Sequence, residues 1–399
     1  MARERLVEIA KRNLAHHRAG TVDQAPGIHH VPATNYHDRE RWEREMEAIF
    51  RRLPLVMGFS AELPEPGGYK ALDAGDVPVL LTRDNDGEVR AFVNMCSHRG
   101  AVVVENGTGE ARRFTCPYHA WNYDLAGDLV GVLDRGDFGD VDPACNGLTP
   151  LPVAERAGII WATLSPIRGA GPAAIDIDTY LQGYDGLLGL LELDQCHPVG
   201  TNVIAGPNWK VAYDGYLDIY HLPILHKNTF GPDFPNKASY DAWGPHQMVS
   251  SPSDRAAEYE DLPVDQWPAR SLLGGVSTIF PHVSIAMFDA GGLIYMVSQL
   301  FPGSDPDSSL TVQNFLTREP PTDERRELIA GQMAFLEHVV RDEDYDTGNL
   351  IQRAVKTGAK PMFMFGRNEG GGQRFHRWVD ALLATDDNDL PALFEEGVG

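Results

Sequence analysis

Two short segments restrict the fold most: Cys96-Ser-His98-Arg-Gly100 and Cys116-Pro-Tyr-His119. Each brings one thiol and one imidazole, and seventeen residues separate His98 from Cys116. Any architecture around them must set two Gly- or Pro-containing loops face to face. A structural Cys2His2 zinc site is the simplest use of such a set. A zinc finger, however, usually draws its cysteines from one element and its histidines from another. Here each loop supplies one of each, which suits a two-iron, two-sulfur cluster with both cysteines on one iron and both histidines on the other. Zinc stays as the alternative. The chain has four cysteines, Cys96, Cys116, Cys145 and Cys196. No apolar stretch follows the N-terminal charges as an export signal would require, so metal binding is a better use for the close pair than a disulfide framework.

The surrounding pattern is β-rich. From Leu53 to about Pro166, short runs such as Val77–Thr82 and Arg90–Asn94 are separated by turn residues, including Asp84-Asn-Asp-Gly87. Before them, residues 2–19 and 38–52 read as helices and 20–35 as a loop. Residues 167–200 read as a linker followed by a Leu-rich segment. Residues 228–270 are polar and aromatic without a period, as in a lid or entrance loop. Strands are expected at 276–288, 293–301 and 310–316. Residues 323–356 read as one long helix with an apolar stripe through Ile329, Met333, Leu336, Val340, Ile351 and Val355. Residues 381–399 read as a loose acidic tail. The Gly370-Gly-Gly372 run follows no expected strand and opens no expected helix, which argues against a dinucleotide site there.

A second constellation lies at Asp218-Ile-Tyr-His221-Leu-Pro-Ile-Leu-His226. Two imidazoles and a carboxylate form the ligand set of open non-haem Fe(II) sites. Asp218 and His221, three apart, are expected to share a helical face, with Pro223 bending or ending that helix so that His226 swings round to the same metal. The third ligand should be a carboxylate from elsewhere. The long helix offers Asp342, Glu343, Asp344 and Asp346. At 100° per residue Asp344 falls on the apolar stripe, Glu343 points partly inward, and Asp342 and Asp346 face outward. A buried carboxylate needs a partner, which favours Asp344.

Length and charge bound the rest. A chain of 399 residues has room for two domains. Its net charge of −23 argues against nucleic acid and anionic membrane surfaces as partners. No apolar run has the length of a membrane span, and a cytoplasmic location is expected.

Taken together and in this order, the motifs resemble the α (oxygenase) subunit of Rieske non-haem iron aromatic-ring-hydroxylating oxygenases. The resemblance covers about residues 40 to 360. It rests on Cys-x-His-Arg-Gly at 96–100, Cys-Pro-Tyr-His-x-Trp at 116–121, Asn-Trp-Lys at 208–210, Asp-x-x-His-x4-His at 218–226 and Glu-Asp…Gln at 343–352. It implies an α+β chain with a β-rich Rieske [2Fe–2S] domain and a catalytic domain whose antiparallel sheet is covered by helices, of helix-grip type. The corresponding divisions are an N-terminal helical segment at 1–40 packing on the catalytic domain, a Rieske domain at 41–166 and a catalytic domain at 167–399. By resemblance, Cys96, His98, Cys116 and His119 hold the cluster. His221, His226 and Asp344 hold a mononuclear Fe(II), with Gln352 eight residues beyond Asp344. The sequence departs from the family in two places. Ala120 stands where glycine is usual, and Asp214-Gly215 stands before Tyr216-Leu217-Asp218 where the family often has Glu-Asn, so an amide near the iron is missing.

The resemblance also implies a terminal oxygenase with O2 as co-substrate, supplied with electrons by a separate ferredoxin or reductase. The assembly implied is a homotrimer, with or without a small β subunit, in which Asp218 bridges His221 to His119 of a neighbouring subunit. Arg99, Arg112 and Arg113, beside or between the cluster loops, are the candidates for donor docking on an otherwise acidic chain. Phe280, Ile285, Met287 and Phe288 favour an apolar or aromatic substrate, with His282 as a candidate polar anchor. Mono- or dihydroxylation and oxidative demethylation stay open. Two other readings are a zinc metallohydrolase and an iron–sulfur electron-transfer protein without oxygenase activity.

Overall fold

A computed structural model describes residues 2–165 and 175–398. The start of the expected linker, and with it the expected boundary near residue 166, lies outside the described residues. The chain forms two compact units. One comprises Phe50–Ile177 and Glu192–His197; the other comprises Met1–Ile49, Asp178–Leu191 and Pro198–Gly399.

The first unit is built from short antiparallel strands. A four-stranded sheet runs in the order Val89–Val93, Val77–Arg83, Gly68–Ala74, Gly107–Glu110. Three-stranded sheets are formed by Val153–Arg156, Ile159–Ala162 and Leu55–Phe59, and by Phe114–Thr115, Asn122–Tyr123 and Leu129–Gly131. The expected turn after Arg83 is present: the Asp84 carboxylate accepts from the backbone N–H of Asp86 and of Glu88, and Gly87 takes the left-handed conformation at φ +84°. Leu80, Phe92, Phe114, Trp121, Tyr123 and Leu129 form a buried cluster that also contains Cys96 and Cys116.

The second unit is organised by a seven-stranded sheet. Its order is His197–Gly206, Ser309–Thr317, Leu293–Pro302, Val283–Asp289, Val276–Ile279, His246–Ser250, Ser239–Trp243. The pairings between residues 239 and 317 are antiparallel. Ala286 faces Met296, which faces Phe315, so part of one face of these three strands is apolar. Ile329 and Leu336 of the Asp323–His338 helix are buried in that cluster. The helix Trp209–Leu217 packs on the same sheet.

Four expectations are corrected here. Residues 228–270 are not one long loop, because they contain the two outer strands of the large sheet. Their buried residues include Ser239, Asp241, His246 and Gln247, on both faces of the second strand, so an apolar alternation never shows. Residues 323–356 are not one regular helix: Val339–Tyr345 is π-helical, between the helices Asp323–His338 and Asp346–Val355. The end of the chain is not a loose tail, since Leu390–Glu396 is a helix that buries Leu390 and Phe394. The triple glycine follows the strand Met362–Phe365 and opens the helix Gly370–Ala384. Its glycines answer a packing demand: a Cβ on Gly371 would lie 2.5 Å from the Tyr240 ring, and one on Gly372 2.6 Å from Phe365.

Candidate metal centres

The two Cys/His loops are near copies of each other. In one, Gly100 N–H donates to the Cys96 carbonyl and Cys96 N–H to Ala101. In the other, Ala120 N–H donates to the Cys116 carbonyl and Cys116 N–H to Trp121. Gly100 and Ala120 occupy the same turn position, both left-handed, at φ +76° and +55°. That conformation costs an L-residue roughly 1–2 kcal/mol, so Ala120 holds its turn at a cost that Gly100 avoids.

The loops bring the two imidazoles together and bury both thiols in one apolar cluster. Cys96 and Cys116 are buried free thiols. The His98 and His119 rings lie 4.7 Å apart, and His98 stacks on Trp121 at 4.9 Å. Burial, with His119 and Arg99 nearby, lowers the pKa of His98 and favours its neutral, metal-binding form. The Nδ1 atoms of His98 and His119 are both buried without a hydrogen-bond partner among the described residues. Two orphaned ring nitrogens beside two buried thiols fit a metal cluster and leave these atoms unexplained without one.

Tyr123 was not singled out by the sequence, because nothing in its spacing marks it. Its hydroxyl lies 3.2 Å from Cys96 Sγ and 2.9 Å from Ser97 Oγ, and it accepts from Ser97 N–H. Burial, and then the Cys96 contact, push its pKa up to about 12, so it stays a donor. Hydrogen bonds to cluster sulfurs stabilise the reduced, more negative form. Tyr123→Phe is therefore expected to lower the cluster's reduction potential without loss of cluster, as a spectroelectrochemical titration checks. An unchanged potential excludes the contact.

In the second unit, one ligand atom from each of His221, His226 and Asp344 lies within 4.8 Å of the others. Asp344 Oδ1 is 3.1 Å from His226 Nε2 and 3.6 Å from His221 Nε2. The local geometry differs from the expected bent helix. The Trp209–Leu217 helix stops one residue before Asp218, which is extended and accepts from Tyr220 N–H. A new single turn, Leu222–Leu225, then begins, with Pro223 near its start, where a missing N–H is harmless. His221 and His226 cap the two ends of that turn. Asp218 thus meets His221 through a turn, with Oδ2 3.1 Å from Nδ1, and not along a shared helix.

Each imidazole has its own carboxylate behind it. Glu343 Oε2 is 2.6 Å from His226 Nδ1, and the Thr229 hydroxyl donates to the same oxygen. Sequence reasoning considered Glu343 only as a rival ligand and missed this role. The π-helical turn supplies it: widening at 339–345 lets Glu343 and its neighbour Asp344 face the histidines together. Asp342 stays outside, bonded to His338 and Arg341. Burial alone would lower His221, but Asp218 and Asp344 lift its pKa to about 9. His226 is raised against its burial by Asp344 and Glu343, and Asp344 is lowered against its burial by both histidines. Nε2 atoms facing one carboxylate, with Nδ1 atoms held by two others, fit a divalent metal held by two His and one Asp.

The ring packed on His226 is Phe230, at 5.3 Å, and Phe230 in turn packs on Phe335 at 5.8 Å. Phe335 joins the apolar face that includes Phe288. Of the other expected substrate residues, Phe280 is buried with its ring against Phe375. His282 is buried beside Phe301, and burial drives its pKa down to about 3. Met287 is half-buried in its strand, paired with Tyr295. Arg99, Arg112 and Arg113 are exposed, with Arg99 over the Tyr118 ring.

Residues 54–137 match the family described as Rieske [2Fe-2S] domain, and residues 193–385 match Ring hydroxylating alpha subunit (catalytic domain). The chain is 32% identical to the glycine betaine monooxygenase oxygenase subunit of Chromohalobacter salexigens, over 53% of this chain and 47% of that protein. It is 33% identical to biphenyl dioxygenase subunit alpha of Metapseudomonas furukawaii, over 52% and 46%. These alignments span about half the length of those relatives. With the carnitine monooxygenase oxygenase subunit of Escherichia coli (strain K12), identity is 26% over 82% of this chain and 84% of that one. The fold matches a quaternary ammonium Rieske monooxygenase crystallised with L-carnitine, at a TM-score of 0.73 with 22% identity, covering 88% and 94% of the two chains. It also matches naphthalene 1,2-dioxygenase from Rhodococcus, at 0.73 with 21% identity, covering 97% and 100%. The two matched domains imply a Rieske cluster and a mononuclear iron. With a Rieske [2Fe-2S] domain, the catalytic domain of a ring-hydroxylating alpha subunit and one converged His–His–Asp set inside the latter, the chain belongs to the Rieske-type ring-hydroxylating family.

Proposed function

We propose that this chain is the terminal oxygenase of a multicomponent system that inserts oxygen from O2 into a small apolar molecule. The observation that carries the reading is the convergence of His221, His226 and Asp344, each imidazole backed by its own carboxylate. In this reading Cys96, His98, Cys116 and His119 hold the cluster. The division into 1–40, 41–166 and 167–399 then separates a helical segment, the electron-accepting domain and the catalytic domain. When bound, the cluster supplies single electrons and the mononuclear iron supplies O2 activation. Asp218 and Glu343 fix the tautomer and orientation of their histidines by accepting the Nδ1 protons. Phe230, Phe335 and Phe288 provide an apolar wall that excludes water and orients an organic substrate.

An aromatic ring suits that wall, and this is the substrate we favour. A quaternary ammonium group is the second reading. Ring faces attract such cations, and the chain carries a net charge of −23. The relatives named for glycine betaine and carnitine point the same way. Electrons come from a ferredoxin or reductase that docks through Arg99, Arg112 and Arg113. Metal and sulfide analysis tests the core of the proposal: about three irons and two sulfides per chain are expected for the two centres. Zinc in their place would indicate a metallohydrolase, and absence of the third iron an electron carrier. Oxygen uptake with naphthalene or biphenyl, compared with glycine betaine or carnitine, separates the substrate readings.

We place Asp218 as the bridge to His119 of a neighbouring subunit in a homotrimer. In support, the surface near the cluster loops exposes Met95, Val102, Tyr118 and Phe138, and the turn carrying His221 exposes Tyr220 and Ile224. Asp218→Asn keeps the side chain's size and removes its charge. The reduced cluster should then reoxidise about 10–100-fold more slowly with substrate and O2, the usual cost of losing a carboxylate behind a metal-bound histidine. Stopped-flow absorbance measures this, and wild-type reoxidation in the variant excludes the bridge. Activity in a strict monomer excludes its intersubunit form.

A further inference from the structure

Tyr36 ends the short 3-10 turn Ala33–Tyr36 and is buried. Its hydroxyl donates to Asp214 Oδ2 at 2.8 Å. His376 Nε2 lies 3.0 Å from the same hydroxyl and 3.1 Å from Asp214 Oδ1, which closes a buried Tyr–Asp–His cluster. Asp214 belongs to the helix that leads into Asp218 and His221. At its other end, Tyr36 accepts through its backbone carbonyl from Gln352 Nε2 at 3.0 Å. Gln352 belongs to the helix that follows Asp344 directly. One residue is thus bonded to both segments that carry the metal ligands, by its phenol to one and by its carbonyl to the other.

Tyr36 is itself held in place. Residues His29–Pro32 before it pair with Met362–Phe365, and Ala33 N–H donates to the Pro361 carbonyl. After it, Asp38 caps the Arg39–Glu45 helix, and Glu45 is buried against Lys210 at the start of the Asp214 helix. The Tyr36 ring packs on Phe363 and His376. Burial, and then the Asp214 charge, hold the phenol pKa well above its ordinary value, so the proton stays available to Asp214. Core packing alone explains a buried ring but not a hydroxyl and a carbonyl that each tie down a different ligand-bearing helix.

We propose that Tyr36 is a positioning residue that fixes the His221–His226 turn relative to Asp344. The proposal rests on the iron-site reading above. Its test follows loss of Fe(II) from the full-length holoprotein to ferrozine, at a temperature where circular dichroism shows every variant folded. Tyr36→Phe keeps the ring and leaves Asp214 paired with His376. It should release the non-cluster iron about tenfold faster, with the cluster's visible spectrum unchanged. Gln352→Met, which cuts the other tie, should act in the same direction. Tyr180→Phe is the control: it removes a buried phenol that donates to the Phe280 carbonyl, and it should lower the thermal midpoint at an unchanged release rate. Equal release rates in wild type and Tyr36→Phe overturn the proposal whatever happens to stability. A wild-type protein that yields no iron beyond that of the cluster overturns the iron-site reading, and this inference with it.

Discussion

Asp344→Ala should keep the visible spectrum of the cluster, lose the mononuclear iron and make no product. Asp344 is the residue whose carboxylate oxygen faces both Nε2 atoms, at 3.1 and 3.6 Å. Without it two imidazoles remain, and the ligand set falls short of the two-His, one-carboxylate set that holds Fe(II). The loss should exceed the about 10–100-fold cost typical of changes behind the ligands. Glu343→Gln should fall within that smaller range, because Glu343 orients His226 from its Nδ1 side. Iron content and product yield, measured on the same preparation, check both. Full iron and activity in Asp344→Ala, together with iron loss in Glu343→Ala, would move the ligand by one residue.

Lys210→Met should cost about 3–5 kcal/mol of stability, the usual penalty for leaving half of a buried ion pair behind. The side chains of Lys210 and Glu45 both have 0% exposure. Glu45 also accepts from Arg41 and from Trp209 Nε1. Burial lowers the Lys210 pKa, and the Glu45 charge opposes that shift. Removing the ammonium leaves Glu45 with one neutral donor, Trp209 Nε1, on the oxygen that Lys210 held, and with Arg41 as its remaining counter-charge. Removing both, in Lys210→Met with Glu45→Leu, should recover much of the loss, since well-packed apolar pairs often match buried salt bridges. Urea unfolding curves decide it. A wild-type midpoint in Lys210→Met would mean that Arg41 alone compensates the Glu45 charge.

What the sequence made legible follows the range of the interactions involved. The cluster loops are local: each thiol and its imidazole lie two or three residues apart, so spacing alone exposes them. The central strands Val283–Asp289 and Leu293–Pro302 show because their buried residues are mainly apolar. The outer strands hide behind buried polar side chains such as His246 and Gln247. The second role at Glu343 is invisible for a different reason. A period of 3.6 residues cannot register a π-helical turn, and that turn is what brings Glu343 and Asp344 to face the histidines together. Phe230 and Phe335 meet across 105 positions of chain, and Tyr36 meets His376 across 340, distances over which no pattern in the sequence speaks. The C-terminal helix is concealed by its acidity, since it rests on little more than Leu390 and Phe394.

The unit at Phe50–Ile177 and Glu192–His197 is nested in sequence within the other, which has residues on both sides of it. During synthesis this sets an order of maturation. All parts of the nested unit have been made once residue 197 leaves the ribosome. The enclosing unit must wait, because His29 pairs with Phe365 and Glu45 with Lys210. At about 5–20 residues per second, Asp344 is added roughly 7–30 s after His197. A nascent chain in that interval has every cluster ligand in a foldable unit and still lacks the carboxylate of the second centre. If the nested unit folds as it emerges, cluster insertion precedes iron loading, and a ribosome-bound chain arrested between residues 240 and 340 should turn red-brown.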